Sequence, residues 1–156
     1  MKILNNFSDV SKNPKAVTIG NFDGIHKGHQ ALINKTKEIS TKNNVESLIF
    51  TFNKLPKEIF SPDTVQRLYD NKIKESILSS YKIDTLLSID FNEIKDYSAD
   101  FFCEEILIKK LNAQYLIIGE NFKFGKDRSG DIEKLRKYDG KNAFELMVPE
   151  LSLIHI

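Results

Sequence analysis

The feature that most limits the fold is a short apolar run that breaks into a glycine-rich stretch and then into an amphipathic pattern. Residues 16–19 are apolar or β-branched and favour a buried strand. Gly20, Gly24 and Gly28 interrupt the run, and an amphipathic helix is predicted from Gly28 onwards. A strand, a turn and a helix in this order form half of a βαβ unit, so the stretch predicts a parallel sheet.

The same alternation continues along the chain. Strands are predicted over 16–19, 46–52, 85–89, 114–118 and 143–148, and helices over 28–42, 71–80, 98–111 and 129–138. This pattern predicts an α/β fold, a Rossmann-like three-layer sandwich in which helices cover both faces of a parallel sheet. Because such sheets bind ligands at the carboxyl ends of their strands, the loops at 20–29 and 119–130 are expected on one edge.

Composition narrows the class of protein. A chain of 156 residues is expected to form one domain, and its net charge of +1 gives no electrostatic reason to expect nucleic acid or an anionic membrane as a partner. Lysine-rich segments such as 72–75 contain acids and are interpreted as solvated faces. The single cysteine, Cys103, excludes an internal disulfide and is interpreted as a packed core thiol. No long apolar segment or signal peptide is recognisable, so a cytoplasmic location is expected.

Two histidines stand where the first predicted helix begins. The free N–H groups of a helix N-terminus favour phosphate, and the imidazoles of His26 and His29 can donate hydrogen bonds to phosphate oxygens and carry positive charge near neutral pH. Taken alone, such a pair is also typical of a helix cap or a surface feature. With no cysteine or third histidine beside it, the pair does not predict zinc. The segment predicts a site for the phosphates of a nucleotide.

The loop over 119–130 is the second candidate. The amide of Asn121 can donate and accept hydrogen bonds, and the planar guanidinium of Arg128 suits phosphate. Phe122 and Phe124 alternate with polar residues. A surface loop with its phenylalanines packed inward has the same composition, so this loop alone leaves both interpretations open.

Together these segments resemble a known family. Residues 18–29, Thr-Ile-Gly-Asn-Phe-Asp-Gly-Ile-His-Lys-Gly-His, resemble the GxFDGxHxGH signature of nucleotidyltransferases with an HxGH motif. The Asn-Phe-Asp-Gly form, and the Gly-Glu-Asn-Phe-Lys-Phe-Gly of 119–125, are similar to the FAD synthetase (FMN adenylyltransferase) module of bacterial bifunctional riboflavin kinase/FAD synthetases. Residues 51–60 resemble its TFDPHPxxVF segment, but Asn53, Lys54 and Leu55 replace the usual Asp, Pro and His.

The resemblance implies transfer of AMP from ATP to FMN, with Mg²⁺ entering with ATP and no direct protein ligand to the metal. By position it implies catalytic roles for His26, His29 and Asn121. The implied ATP-binding residues are Gly20, Asn21, Phe22, Asp23, Gly24, His26, His29 and Arg128. The implied flavin-binding residues are Phe60, Phe102, Asn121 and Phe124.

Three other functions stay open from the sequence. One is another HxGH nucleotidyltransferase, acting on a phosphopantetheine, nicotinamide mononucleotide or cytidylyl substrate. The second is a nucleotide-binding module without turnover. The third is a fragment of a class I aminoacyl-tRNA synthetase, which also carries a HIGH-like motif, although the near-neutral charge and the short length count against it.

The end of the sequence also departs from the family. The family continues to an ISSTxIR segment and usually to a kinase module, neither of which is present in these 156 residues. We therefore expect an adenylyltransferase domain over 1–150 and a non-native tail over 151–156, which read-through into a transposon-derived sequencing adapter would encode. Such a chain is expected to bind adenine nucleotide weakly and to form FAD poorly.

Overall fold

The computed structural model of the chain describes residues 1–23, 25–54, 64–140 and 143–150. Gly24, Leu55, Phe60 and the predicted tail over 151–156 lie outside the described residues.

Six parallel strands form one sheet in the described residues. They are β1 (Lys2–Leu4), β2 (Lys15–Ile19), β3 (Glu46–Lys54), β4 (Thr85–Asp90), β5 (Ala113–Ile117) and β6 (Glu145–Met147). Their order in the sheet is β1-β4-β3-β2-β5-β6, and every neighbouring pair is parallel. From β2 the chain builds β3 and β4 on one side, and then β5 and β6 on the other. The strand order therefore reverses between β2 and β5, where a ligand crevice is expected.

The helices are α1 (Lys27–Asn43), α2 (Thr64–Ser79), α3 (Ala99–Phe101) and α4 (Ile132–Arg136), with 3₁₀ turns over Phe7–Asp9, Phe91–Glu93 and Lys126–Arg128. The predicted elements are confirmed with shifted ends, and β1 is one that the sequence patterns did not predict. The last helix begins later than predicted because Asp131 caps it: the Lys134 N–H donates to the Asp131 carboxylate at 3.0 Å. The helix predicted from residue 71 begins seven residues earlier, at Thr64.

The helix predicted over 98–111 begins as expected and then widens. Ser98 caps it, accepting a hydrogen bond from the Phe101 N–H at 3.0 Å. After the single turn of α3 the chain continues as a π-helix over Phe102–Lys110, which ends with the Leu111 N–H donating to the Ile106 carbonyl at 2.9 Å. π-helical segments are rare and are often found at functional sites. This one begins at Phe102, a predicted site residue.

Apolar clusters cover both faces of the sheet, which confirms the three layers. The larger cluster joins β2, β3 and β5 to the π-helix through Val17, Phe50, Phe102, Ile106 and Leu116. Two smaller clusters lie on the opposite face and include Leu32, Ile33 and Ile39 of α1 and Leu78 of α2. Cys103 is fully buried in the larger cluster, and burial raises the pKa of its thiol to about 12, as expected for a packed core residue.

Candidate active site

A cavity of about 850 Å³ lies at the switch point of the sheet. The loop after β2 and the loop after β5 form two of its walls, so the expectation that these loops share one edge is confirmed. Its lining residues are Ile19, Gly20, Asn21, Phe22, His26, Gly28, His29, Leu32, Phe52, Phe91, Ile94, Lys95, Phe102, Gly119, Glu120, Asn121, Phe122, Lys123, Phe124, Gly125 and Arg128. A cavity of this size accommodates a ligand as large as a dinucleotide.

Both histidines cap helix α1 at the mouth of this cavity. His26 is the N-cap residue, and its Nδ1 accepts a hydrogen bond from the Gly28 N–H at 3.1 Å. Nδ1 of His29 accepts in turn from the His26 N–H at 3.4 Å, which completes a capping box. Because Nδ1 is the acceptor in each ring, a neutral imidazole carries its proton on Nε2. Each Nε2–H therefore remains available as a donor to a bound phosphate.

The charge state of His29 differs from the sequence-based prediction. The pKa of His29 is lowered from 6.5 to about 4, chiefly by burial and also by the neighbouring His26 and Lys74, while Asp23 opposes them. The ring is consequently neutral near pH 7 in the free chain, and the positive charge predicted for it is wrong there. In the free chain, His29 is therefore a hydrogen-bond donor through Nε2 and not a cation.

The loop between β2 and α1 is held from inside the protein. The Gly20 N–H donates to the Phe50 carbonyl at 3.1 Å, and the side chain of Phe22 is fully buried beside Ile33 and Leu78. Phe22 has a φ of 53°, a left-handed conformation that is costly for a bulky residue and is found at functional sites. Its ring meets that of His29 edge-on, with centroids 5.2 Å apart. Phe22 thus lines the cavity, and its ring contacts that of His29.

Lys74 of α2 is a residue of this region that the sequence analysis missed. Its segment was interpreted as a solvated face, but the Lys74 side chain is only 8% exposed. The ammonium donates to the Asn21 carbonyl at 2.9 Å, and lies 3.7 Å from the Asp23 carboxylate. The available signal was spacing: Lys74 precedes the buried Leu78 by four residues and so shares its helix face.

Aromatic side chains form the other end of the cavity. Phe102 and Phe124 are almost fully buried, with ring centroids 5.3 Å apart, and Phe124 stacks on Phe122 at 5.5 Å. Half-buried Phe52 and Phe91 meet edge-on at 5.7 Å, and line the same end. Phe102 and Phe124 thus belong to the core and to the cavity wall at once. An apolar end lined by flat rings suits a planar heteroaromatic ligand.

The loop after β5 presents polar groups beside these rings. Asn121 and Arg128 are exposed, and both line the cavity. Gly125 lies against the start of α3, where an added Cβ would stand 3.0 Å from the Ala99 nitrogen. The Lys126 N–H donates to the Tyr97 carbonyl at 2.8 Å, and Phe124 and Gly130 exchange two backbone hydrogen bonds. These contacts fix the loop onto the layer that contains the π-helix.

The structure brings most of the predicted site residues to this one cavity. His26, His29, Asn121, Gly20, Asn21, Phe22, Arg128, Phe102 and Phe124 all line it. Asp23 contacts the Lys74 ammonium, while Gly24 and Phe60 lie outside the described residues. Ile94 and Lys95 are lining residues that the sequence analysis did not single out.

Across the part of the chain that the structure describes, no group of three or more histidine, cysteine or acidic residues is arranged to hold a metal ion. In that same part, no helix has the length and apolarity needed to cross a bilayer.

The arrangement combines two chemistries in one cavity. The α1 N-terminus, with its two imidazoles, offers hydrogen-bond donors and a partial positive charge to phosphate. The aromatic end offers an apolar wall for a ring system. Both features face the same cavity, so a ligand that has phosphate and a planar ring can contact the two together.

Comparisons with known proteins agree with this geometry. The family model described as FAD synthetase matches residues 8–153. A bifunctional riboflavin kinase/FMN adenylyltransferase of Buchnera aphidicola subsp. Schizaphis graminum is 37% identical over 146 residues, which are 92% of this chain and 46% of that protein. Its counterpart in Escherichia coli K12 is 31% identical over 151 residues, 94% of this chain and 48% of that protein. The chain thus spans about half the length of the curated relatives it matches.

Solved structures give the same architecture. A Streptococcus pneumoniae structure described as a macrolide-efflux protein superposes with a TM-score of 0.71 at 25% identity, covering 95% of this chain and 50% of that one. Pantothenate synthetase from Thermus thermophilus superposes with a TM-score of 0.57 at 13% identity, covering 96% of this chain and 61% of that one. The second likeness shows the fold alone.

Proposed function

We propose that this chain, which belongs to the FAD synthetase family, transfers the AMP moiety of ATP to FMN and so forms FAD and pyrophosphate. An oxygen of the FMN phosphate attacks the α-phosphorus of ATP. The new bond joins that oxygen to the α-phosphorus, and the bond to the oxygen bridging to the β-phosphorus breaks. The electron pair leaves with pyrophosphate, so the atoms balance without a covalent intermediate on the protein.

One observation carries this proposal: a phosphate-binding helix terminus and an aromatic wall face the same cavity. FMN and ATP each contain a planar ring system and phosphate, and the reaction needs their phosphates to meet. With the flavin against the aromatic end and the triphosphate against α1, the reacting groups would be brought together by binding alone. Such positioning is a major source of rate enhancement when no covalent chemistry falls to the protein.

In this proposal, His26 and His29 donate from Nε2–H to the phosphates of ATP, and stabilise the charge that grows as pyrophosphate leaves. The backbone of Gly20, Asn21, Phe22, Asp23 and Gly24 shapes the adenylate pocket, and Arg128 offers its guanidinium to phosphate. Asn121 binds phosphate or a polar group of the flavin. These assignments rest on position in the family motif and, for the described residues that line it, on the shared cavity.

The flavin assignment concerns Phe102 and Phe124, with Phe60 as a third wall residue implied by the family segment. The isoalloxazine ring would lie against these side chains and displace water from them. Half-buried Phe52 and Phe91 extend the same surface. The isoalloxazine ring presents a larger apolar surface than a phosphopantetheine arm does, so this end favours FMN as the acceptor.

Mg²⁺ belongs to the proposal as a companion of ATP. It binds oxygen ligands, retains several waters and neutralises charge on the transferring phosphates when bound. Glu120, which lines the cavity, provides a carboxylate of the kind that Mg²⁺ binds. In this proposal the triphosphate supplies most of the other ligands.

The test is a substrate panel with a binding arm and a turnover arm. FMN binding is followed by quenching of flavin fluorescence, and product by chromatography after prolonged incubation with ATP and Mg²⁺. We expect FMN to bind and FAD to form, however slowly, with no product from phosphopantetheine, nicotinamide mononucleotide or a cytidylyl acceptor. FMN and ATP binding without any FAD would favour a binding module. Product from another acceptor, and none from FMN, would overturn the proposal.

A further inference from the structure

We propose that Lys74 is a positioning residue of this site, whose buried ammonium fixes the loop between β2 and α1 and so places His29 for phosphate transfer. The inference rests on the proposed function. It assigns to α2, which contributes no described residue to the cavity wall, a part in the reaction.

The ammonium of Lys74 is hydrogen-bonded to the loop after β2 and to the end of β3. Its Nζ donates to the Asn21 carbonyl at 2.9 Å, to the Thr51 hydroxyl at 3.3 Å and to the Phe52 carbonyl at 3.3 Å. The Thr51 hydroxyl donates in turn to the same Asn21 carbonyl at 3.0 Å. One cation thus ties α2 to the end of β3 and to the loop that follows β2.

Burying the Lys74 ammonium has an energetic cost. Transferring an ammonium into a site with 8% exposure is unfavourable unless its hydrogen bonds are satisfied. An apolar residue at position 74 would be the simpler choice for a helix face that also buries Leu78. Lys74 gives the Asn21 and Phe52 carbonyls a charged donor, in addition to the Thr51 hydroxyl that already donates to Asn21.

Lys74 is connected to the cavity through the loop residues that it contacts. Asn21 and Phe22 follow one another in the loop, and both line the cavity. The ring of Phe22 contacts that of His29 edge-on, at 5.2 Å between centroids. A shift of the Asn21 carbonyl therefore moves Phe22, and with it the support of the His29 ring. Misplacement of a reacting group by about 1 Å costs on the order of 10²-fold in rate.

The positive charge of Lys74 also affects the pKa of His29. The charged and titratable groups facing His29 in the described residues are His26 on α1, Asp23 in the loop and Lys74 on α2. Lys74 helps to lower the pKa of His29, and Asp23, 3.7 Å from the ammonium, raises it. Removing the ammonium therefore changes a quantity that can be measured on His29 itself.

Lys15 provides a comparison within the same chain. It is also a buried lysine, 1% exposed, and its Nζ donates to the carbonyls of Asn13 at 2.7 Å and Leu111 at 3.0 Å. It stands at the start of β2, however, at the amino edge of the sheet and away from the cavity. Lys15 therefore serves as the reference for a buried lysine whose role is structural only.

The experiment compares Lys74→Met, Lys74→Arg and Lys15→Met, with the exposed Lys72→Met as a surface control on the same helix. We expect Lys74→Met to lower kcat for FAD formation by about 10²-fold with little change in the KM for FMN, because orientation and not flavin binding is lost. NMR titration should show a raised His29 pKa in Lys74→Met alone. Lys74→Arg should keep the low pKa and recover part of kcat, whereas Lys15→Met should lose stability without either change.

Several outcomes would overturn the inference. If Lys74→Met has the kcat of the wild type, Lys74 is only a structural residue. The same conclusion follows if Lys15→Met reproduces both the loss of kcat and the change in the His29 pKa. If Lys74→Met does not fold, Lys74→Gln removes the ammonium and keeps a polar side chain, and a wild-type kcat with an unchanged His29 pKa there would refute the proposal. If the wild-type chain forms no FAD at all, the proposed function fails, and the His29 titration alone decides whether Lys74 controls this ring.

Discussion

The imidazole rings of His26 and His29 are stacked, with centroids 3.7 Å apart and ring planes inclined by 22°. The stack follows from the capping box, in which each Nδ1 accepts a backbone hydrogen bond at the start of α1. The two nitrogens of each ring therefore have different roles: Nδ1 stabilises the start of the helix, and Nε2 stays available for a ligand. The interpretation as a helix cap and the interpretation as a phosphate site, which the sequence left open, describe the same geometry.

Replacing His29 tests the role of its Nε2–H. His29→Ala should lower FAD formation by about 10²-fold or more, the scale of losing one oriented donor to a transition state. The fold should survive, because the side chain is only partly buried. Steady-state assays with circular dichroism check both statements, and Gln30→Ala, an exposed change one residue further along α1, is the control. Full turnover by a folded His29→Ala protein would remove His29 from the reaction.

The lowered pKa of His29 gives a pH prediction. The free chain should show no titration of His29 near 6.5, and NMR should locate its pKa at about 4. Between these values the unfolded chain binds a proton that the folded chain does not. The contribution of neutral His29 to the free energy of unfolding is therefore fully present above pH 6.5 and is lost as the pH falls toward 4.

Denaturation curves of wild type and His29→Asn check the sign of this effect. The wild type should lose stability relative to His29→Asn as the pH is lowered through that window, because asparagine does not titrate. A constant difference between the two proteins from neutral to acidic pH would show that folding does not change the protonation of His29.

Local patterns were sufficient for much of the fold. The predicted strands and helices are present because each combines a periodic apolar face with a clear stop, as at Gly20 after β2 or Ser98 before α3. The short strand β1 escaped prediction because two of its three residues are exposed and its place depends on pairing with β4. The π-helix was not predicted because the sequence pattern of residues 102–110 does not distinguish a π-helix from an α-helix.

The site was predictable where a motif carries its own chemistry, as with His26, His29 and Asn121. It was not predictable where chemistry comes from packing. Lys74 is polar by sequence but is buried by the position of α2, and the neutral state of His29 depends on burial and on three charged or titratable neighbours. Both are properties of the assembled layers and not of any short segment.

Phe124 separates flavin binding from core packing. Phe124→Ala should weaken FMN binding more than ATP binding, because it removes ring contacts from one substrate only. It should also cost about 3–5 kcal/mol of stability, the usual range for a phenylalanine removed from a core. Fluorescence titration with FMN, calorimetric titration with ATP and thermal unfolding provide the three measurements.

Phe144→Ala, at a fully buried core position that does not line the cavity, is the matched control: it should lower stability and leave the ratio of the two affinities unchanged. Equal weakening of both ligands by Phe124→Ala would assign Phe124 to the core alone.

Gly125 tests whether the loop after β5 must lie against α3 for the flavin site to form. Its φ of +78° disfavours any side chain, and an added Cβ would stand 3.0 Å from the Ala99 nitrogen and 3.1 Å from the Ala99 Cα. Gly125→Ala therefore has to push the loop away from α3, which displaces the neighbouring Phe124.

Gly140 is the matched control, because it also has a positive φ, +145°, but an added Cβ there would meet nothing within 4 Å. Both substitutions should lower the free energy of unfolding by about 1–3 kcal/mol through backbone strain, with the larger loss at Gly125. Only Gly125→Ala should also weaken FMN binding, measured by flavin fluorescence. Equal FMN affinity in the two variants would mean that the contact between this loop and α3 stabilises the fold without shaping the site.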